Sequence, residues 1–363
     1  MTSRETVDTS EPNVGPRVCI GDHVIGDGAP VYIVAEAGVN HDGSLDEALE
    51  LVDAAADAGA DAVKFQVFDA ARLTTNEVAT ADYQATTTGQ TSQRRMLEGL
   101  QLSGSAFAAV ADRCRARGIA FLATPFGVED VARVVEWGAP AIKIASTDLV
   151  DFDLLAGAIS TDRPLIVSTG AADEQEIAES VAFIAGGGAS KRLILLHCVC
   201  QYPTPAAAAN LGAIRALANR FGVPVGFSDH TVETETGGFA VCAGARLLEK
   251  HFTLDRRSPG PDHAMSLEPA ELRTYIETAH RACAAMGSGR LGFQPGERIV
   301  RQLGRKSLVA ARAIAAGEVL TAECLTAKRA GAGVSPTEKE RLIGRRAARD
   351  IPAGTPMTAG LVQ

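Results

Sequence analysis

Residues 223–231 read VPVGFSDHT and residues 246–253 read RLLEKHFT. Each is an apolar run of strand length that ends in polar side chains, Ser228-Asp229-His230 in the first and His251 in the second. Neighbouring strands of a sheet lie about 5 Å apart. If the two runs are adjacent parallel strands, their C-terminal histidines can reach one divalent ion.

The same unit of short apolar run, turn and amphipathic segment recurs upstream. Apolar runs occur at Val31–Ala35, Ala62–Gln66, Ile119–Thr124, Ala141–Ser146, Pro164–Thr169 and Leu193–Cys198. Helical spacing of apolar residues follows at Ser44–Ala58, where Ser44 and Glu47 have the spacing of a capping box, and at Phe107–Arg117, Val128–Trp137, Glu174–Ile184, Leu211–Phe221, Thr234–Ala243 and Pro269–Met286. With the two opening runs, this repetition predicts eight parallel strands alternating with helices, an α/β chain closed into a (β/α)8 TIM barrel. An open dinucleotide-binding sheet would carry GxGxxG after its first strand, and here EAGVNHDGS follows instead. The connection from Asp69 to Leu102 is unusually long and reads either as a lid over the catalytic face or as a disordered insertion.

Beyond Met286 a glycine-rich stretch, GSGRLGFQPGER, predicts a linker over 288–303 between a barrel domain (17–287) and a small module (304–363). Within that module Ile314-Ala-Ala-Gly317 is echoed by Ile351-Pro-Ala-Gly354, as in a unit of short strands and turns. Residues 1–16 are polar, lack the apolar core of a secretory signal and are expected to form a flexible tail. A net charge of −9 argues against nucleic acid as a partner, and no apolar run approaches the ~18 residues of a membrane helix. Seven cysteines without a CxxC pair fit a reducing compartment, by default the cytoplasm.

Strand C-terminal ends are where a barrel gathers its chemistry. Lys64 and Lys143 interrupt apolar runs, and a cation in a barrel interior requires an anion. Thr124, Ser146, Ser168, Thr169 and Gly170 end strands with hydroxyls or no side chain. That suits a phosphate and carboxylate cradle, or equally a set of helix-capping turns. Glu36 could orient a sugar hydroxyl or exchange a proton, or sit in an ion pair at the rim. Asp229 and Glu249 could orient the two histidines or pair at the rim. Cys198 and Cys200 read as barrel lining. A site with two protein ligands keeps positions open for substrate, which suits a catalytic divalent metal better than a structural one.

In chain order EAGVNHDGS, KFQ, ATPF, KIAS, VSTG, HCxxxYPTP, GFSDHT, EKHFTLD and PGPDHAMSLEP resemble the sialic acid synthase family from about Arg17 onward. The terminal module resembles its antifreeze-like SAF domain. The resemblance implies condensation of phosphoenolpyruvate with the open-chain form of an N-acylated amino sugar, giving a nine-carbon nonulosonic acid and phosphate. It implies His230 and His251 as ligands of a divalent metal, Mn2+ first and Mg2+ or Co2+ as alternatives. Lys64, Thr124, Lys143, Ser146, Ser168 and Tyr202 would surround phosphoenolpyruvate, and Glu36 and Asp262 would face the sugar. Arg329 would reach the sugar from a neighbouring subunit of a domain-swapped homodimer. Tyr83-Gln84, Ser92-Gln93 and PGPDH are similar to bacterial N-acetylneuraminate or N,N'-diacetyllegionaminate synthases, and by analogy the free sugar is favoured over its 6-phosphate. Cys200 stands where some members carry an asparagine that helps hold phosphoenolpyruvate. KRAGAG replaces the commoner KRPG, and Arg305 replaces an aromatic that contacts the sugar in some members. Competing readings are a pseudaminate or 9-phosphate synthase, an inactive saccharide-binding relative, and an aldolase or other enolpyruvate-condensing barrel.

Overall fold

A computed structural model describes residues 15–363, apart from the side chain of Tyr83; most of the expected N-terminal tail, residues 1–14, lies outside the described residues. The chain divides into two compact units, one ending at Ser288 and one running from Gly289 to Gln363.

The first unit opens with an antiparallel hairpin that the strand-by-strand reading does not anticipate, β1 (Arg17–Ile20) and β2 (His23–Gly26). Its buried Val18, Ile20 and Ile25 cluster with Tyr32, Val34, Leu122, Ile166, Leu196 and Leu247. The hairpin therefore plugs the N-terminal end of the barrel, and its signal was the alternation RVCI and HVIG about a two-residue Gly-Asp turn.

All eight expected runs are strands of one parallel sheet: β3 (Tyr32–Gly38), β4 (Ala62–Val67), β5 (Ala120–Pro125), β6 (Ile142–Ile144), β7 (Leu165–Ser168), β8 (Leu193–Cys198), β9 (Val225–Asp229) and β10 (Leu247–His251). They pair in the order β5-β4-β3-β10-β9-β8-β7-β6, and β5 and β6 lie side by side at the remaining seam without a ladder. The barrel is thus nearly closed, and its shortest strand, β6, has only three residues.

Side chains alternate between the faces of each strand. Ile33, Ala35, Val63, Phe65, Phe121, Ile142, Val167, Leu195, Phe227 and Leu248 pack outward against the helices, while the opposite parity points inward. Low in the barrel the inward set is apolar; higher up it becomes Glu36, Lys64, Thr124, Lys143, Ser168, Cys198, Ser228 and Glu249, all buried. Gly226, the inward glycine of GFSDHT, has no room for a side chain: a Cβ there would lie 2.3 Å from Leu247 O and 2.6 Å from Leu196 Cδ2.

Ser44 caps the helix Leu45–Ala58, its Oγ accepting from Glu47 N–H at 3.3 Å, one half of the expected box. A helix at Phe152–Ile159, capped by Asp151, was not foreseen because its apolar residues run nearly all round. The long second connection is ordered rather than a disordered insertion. It forms helices at Ala70–Leu73, Asp82–Thr88 and Gln93–Leu100, and Met96 and Leu100 anchor it on Val39 and Phe68.

The second unit contains the helix Arg298–Gly304 and the antiparallel pair β11 (Lys306–Ala310) and β12 (Leu325–Arg329). Its two Ile-x-x-Gly echoes pair with each other, Ile314 N–H to Ile351 O at 2.9 Å and Ile351 N–H to Ile314 O at 2.8 Å. Gly317 N–H donates to Ala347 O and Gly354 N–H to Ala310 O, both at 2.8 Å, so the sequence echo is a local two-fold. Leu308, Ile314, Leu320, Leu325, Ile351 and Met357 fill the core between the halves.

Candidate active site

Parallel register sets the site. Glu36 of β3 pairs in register with Lys64 of β4 on one side and His251 of β10 on the other, and Gln66 of β4 pairs with Thr124 of β5. One cavity at the C-terminal ends of the strands is lined by Glu36, Lys64, Gln66, Thr124, Lys143, Ser146, Ser168, Cys198, Cys200, Tyr202, Ser228, His230, Glu249 and His251. Of the residues expected around phosphoenolpyruvate, Lys64, Thr124, Lys143, Ser146, Ser168 and Tyr202 all share this cavity.

The lysines find their anions inside the protein. Lys64 Nζ lies 2.6 Å from Glu36 Oε2 and 3.6 Å from Glu249 Oε2, and it donates to Thr124 Oγ1 at 2.9 Å. Lys143 Nζ lies 3.8 Å from Glu249 Oε1 and donates to Ile144 O at 2.9 Å; Ser228 Oγ donates to Glu249 Oε1 at 2.9 Å. Two lysines and two glutamates therefore form a buried quartet. Burial pushes Glu36 up, to about 7, against the pull of Lys64. Burial also pushes on Glu249, but the charges of Lys143 and Lys64 and the Ser228 hydrogen bond hold it below the usual range. Burial pulls on both lysines; Lys64, between Glu249 and Glu36, ends above its ordinary value, and Lys143, repelled by Lys64, ends below it.

His230 follows β9 and His251 ends β10, their ring centroids 5.5 Å apart. Burial lowers both imidazoles, and for His251 the nearby His230 and Lys64 lower it further, so both are neutral. His230 Nδ1 is 2.8 Å from Val199 O. Donation of Nδ1–H to that carbonyl fixes the tautomer that leaves Nε2 with its lone pair. His251 Nδ1 is buried without a hydrogen-bond partner, 3.8 Å from Asp262 Oδ2. Two neutral imidazoles, that of His230 oriented by Val199 O, fit an open divalent site. No cluster of three or more His, Cys, Asp or Glu able to hold a metal occurs among the described residues.

Asp229 has the opposite strand parity from His230 and faces away from the cavity. Its Oδ2 lies 3.2 Å from Lys250 Nζ, and its Oδ1 accepts from Thr231 N–H at 2.9 Å. Neither Asp229 nor Glu249 is a rim residue: the first is half of a buried ion pair behind the histidines, the second a member of the quartet. Glu36 likewise is not at the rim.

A second cluster forms where β3 turns. Gly38 has φ +57°, and a Cβ there would lie 3.4 Å from Glu36 Oε1 and 3.5 Å from both Asp262 Oδ2 and Gln66 Nε2. The two residues expected to face a sugar, Glu36 and Asp262, thus converge with Gln66. Burial lifts Asp262 to about 6, against the charges of His263 and Lys64. Gln66 was not singled out from sequence, and Ser228 was named only as ending its run, although each shares its strand parity with a candidate, Lys64 and His230. Ser168 Oγ is buried without a partner, and Ser146 Oγ accepts from Gly170 N–H at 3.0 Å. Tyr202 packs its ring 4.2 Å from that of His230. Cys200 is drawn down to about 6 by the Cys198 thiol first, then by Ser146, Tyr202 and the Lys143 charge, with burial opposing. Arg329 is exposed at the end of β12 in the second unit, and Arg305 is exposed before β11.

The model of the NeuB family matches residues 51–291, and that of the SAF domain matches residues 305–363. The chain belongs to the NeuB family. It is 37% identical over 328 residues to N,N'-diacetyllegionaminic acid synthase of Legionella pneumophila, covering 89% of this chain and 92% of the relative. With the Campylobacter jejuni protein of the same name it shares 38% over 320 residues, 88% of this chain and 96% of that one. The crystal structure of an N-acetylneuraminic acid (sialic acid) synthetase from Leptospira borgpetersenii, in complex with citrate, matches with TM-score 0.72 at 33% identity, covering 82% of this chain and 100% of that one. No helix of the described residues is long and apolar enough to cross a membrane.

Proposed function

We propose that this NeuB-family chain is a nonulosonic acid synthase, a metal-dependent C–C bond-forming transferase. It condenses phosphoenolpyruvate with an open-chain N-acylated amino hexose and releases phosphate by C–O cleavage. The observation that carries the reading is the buried Lys64–Glu36–Glu249–Lys143 quartet, flanked by the unpartnered Ser168 hydroxyl and the His230–His251 pair in one cavity.

In this reading Lys64, Lys143 and the hydroxyls of Thr124, Ser146 and Ser168 hold the phosphate and carboxylate of phosphoenolpyruvate, with Tyr202 beside them. His230 and His251 would hold a divalent ion, Mn2+ before Mg2+ or Co2+, which would supply Lewis acidity for activating the aldehyde. Glu36 and Asp262 face the sugar, and Glu36, titrating near 7, passes a proton at the sugar oxygen or the incoming water. C3 of the enol forms the new bond to the aldehyde carbon, water adds to the resulting cation at C2, and collapse of the tetrahedral intermediate breaks the C2–O bond to phosphate. Glu249 keeps the two ammonium groups paired throughout, so the cradle stays ordered before substrate arrives.

Similarity to two legionaminic acid synthases supports a 2,4-diacetamido-2,4,6-trideoxy-mannose-type acceptor, with N-acetylmannosamine as the alternative. Arg329 reaches the sugar from a second copy in a domain-swapped homodimer; strongly exposed Leu291, Ile299, Val300 and Leu303 supply apolar surface for that copy. We place the enzyme in the cytoplasm. Purified protein should release phosphate from phosphoenolpyruvate with Mn2+ and one of a panel of N-acyl hexoses. Silence with every sugar removes the synthase reading.

A further inference from the structure

We propose that Cys198 and Cys200 are a redox-modification site: a peroxide converts the pair into an intramolecular disulfide that closes the anion cradle, and thiols reopen it.

Cys198 is the last residue of β8, and Cys200 lies two residues on, at the spacing that returns a side chain to the same side of an extended segment. Cys198 Sγ also lies 3.8 Å from His230 Nδ1. A Cβ built on Gly170 would lie 2.6 Å from Cys200 Sγ, 2.9 Å from Cys198 Sγ and 2.9 Å from Ser146 Oγ. Both sulfurs and the hydroxyl therefore converge on one point, in space left by the missing side chain of Gly170. Cys200 is half-buried and both cysteines open on the cavity that holds Lys143, so a small oxidant has access.

The chemistry balances with hydrogen peroxide as the oxidant. The Cys200 sulfur attacks one peroxide oxygen, the O–O bond breaks, and the products are a sulfenic acid and water. Cys198 then displaces the sulfenic hydroxyl as a second water, so two thiols lose two electrons and two protons in all. Closure moves both sulfurs beside the Ser146 hydroxyl at Gly170. It also strains the turn at Val199, whose carbonyl holds the His230 Nδ1–H. Substrate anion and His230 are disturbed together.

Reduced full-length protein is treated with a small excess of hydrogen peroxide, its remaining thiols are blocked with N-ethylmaleimide, and its peptides are weighed. The expected result is one peptide holding both cysteines, unalkylated and lighter by two hydrogens. Phosphate release should fall about tenfold or more, the loss of at least one charge-assisted contact. Dithiothreitol should restore it, and phosphoenolpyruvate present during oxidation should slow it. Cys198→Ser and Cys200→Ser should each abolish the disulfide and the dithiothreitol-reversible part of the inhibition. Either one alone is decisive if the other does not fold. Two alkylated cysteines after peroxide, a disulfide to any other cysteine, or a Cys198–Cys200 disulfide without effect on turnover would overturn the proposal. The effect on turnover rests on the synthase reading. Were no sugar turned over, the peptide mass and calorimetric phosphoenolpyruvate binding before and after oxidation would still decide the switch.

Discussion

Replacing Lys250 by methionine should cost this protein about 4 kcal/mol of folding stability, although the side chain never touches the cavity. Lys250 is almost wholly buried. Its ammonium sits 3.2 Å from Asp229 Oδ2, donates to Thr231 O at 2.6 Å and to Thr231 Oγ1 at 3.2 Å, and lies 5.2 Å from the Tyr275 ring centroid. Methionine fills the volume but leaves the Thr231 carbonyl and the Asp229 carboxylate unpaired. Removing one member of a buried ion pair costs ~3–5 kcal/mol, and an orphaned carbonyl ~1–3 kcal/mol within that range. Asp229→Asn added to Lys250→Met removes the stranded charge and keeps an oxygen for Thr231 N–H, so the double variant should recover ~2 kcal/mol. Urea unfolding of the wild type, both single variants and the double variant closes the cycle. Because Asp229 and Lys250 are register partners next to His230 and His251, phosphate release by the folded Lys250→Met protein should also fall about tenfold or more. A single-variant cost below ~1 kcal/mol, or simple additivity of the pair, would refute the clamp.

The histidine pair predicts that wild-type protein retains about one Mn2+ per chain after dialysis, and that His230→Ala, His251→Ala retains none while keeping its circular dichroism; equal retention would remove the metal site. Glu36 and Asp262 are both raised, so the folded state holds their protons more tightly than the unfolded chain. Their contribution to stability is complete below the ordinary carboxylate range and lost as pH rises toward about 6 for Asp262 and about 7 for Glu36. Asp262→Asn should therefore flatten the decline in urea midpoint between those limits, and an unchanged slope would contradict the burial argument. Glu36→Gln should lower turnover by about a hundredfold and abolish a rate limb centred near 7. Ending the chain after Gly287, or Arg329→Ala, should abolish or sharply raise the KM of sugar-dependent phosphate release while leaving phosphoenolpyruvate binding intact, as measured by kinetics and calorimetry.

Much of the barrel was legible because strand periodicity is local: eight apolar runs, each ended by polar or small residues, became eight strands. The N-terminal hairpin was missed since its apolar alternation is short and its partner, the barrel floor, is remote in sequence. Candidate residues at strand ends were found by residue type, and Lys64, Lys143, Ser168, His230 and His251 do meet in one cavity. Counter-ions were harder. Whether Asp229 or Glu249 faces the histidines depends on strand parity counted from each histidine, one residue for Asp229 and two for Glu249, and that count alone sends one behind the sheet and the other into the quartet. Gln66 and Asp262 converge across the turn at Gly38 from segments nearly two hundred residues apart, a proximity that only the closed sheet creates.

Phosphoenolpyruvate labelled with oxygen-18 at the bridging C–O–P position, turned over with Mn2+ and the acceptor sugar, tests the central claim most directly. Condensation with C–O cleavage predicts all of the label in inorganic phosphate and none in the nonulosonic acid. Label retained in the acid, or phosphate released without a new carbon–carbon bond, would contradict it.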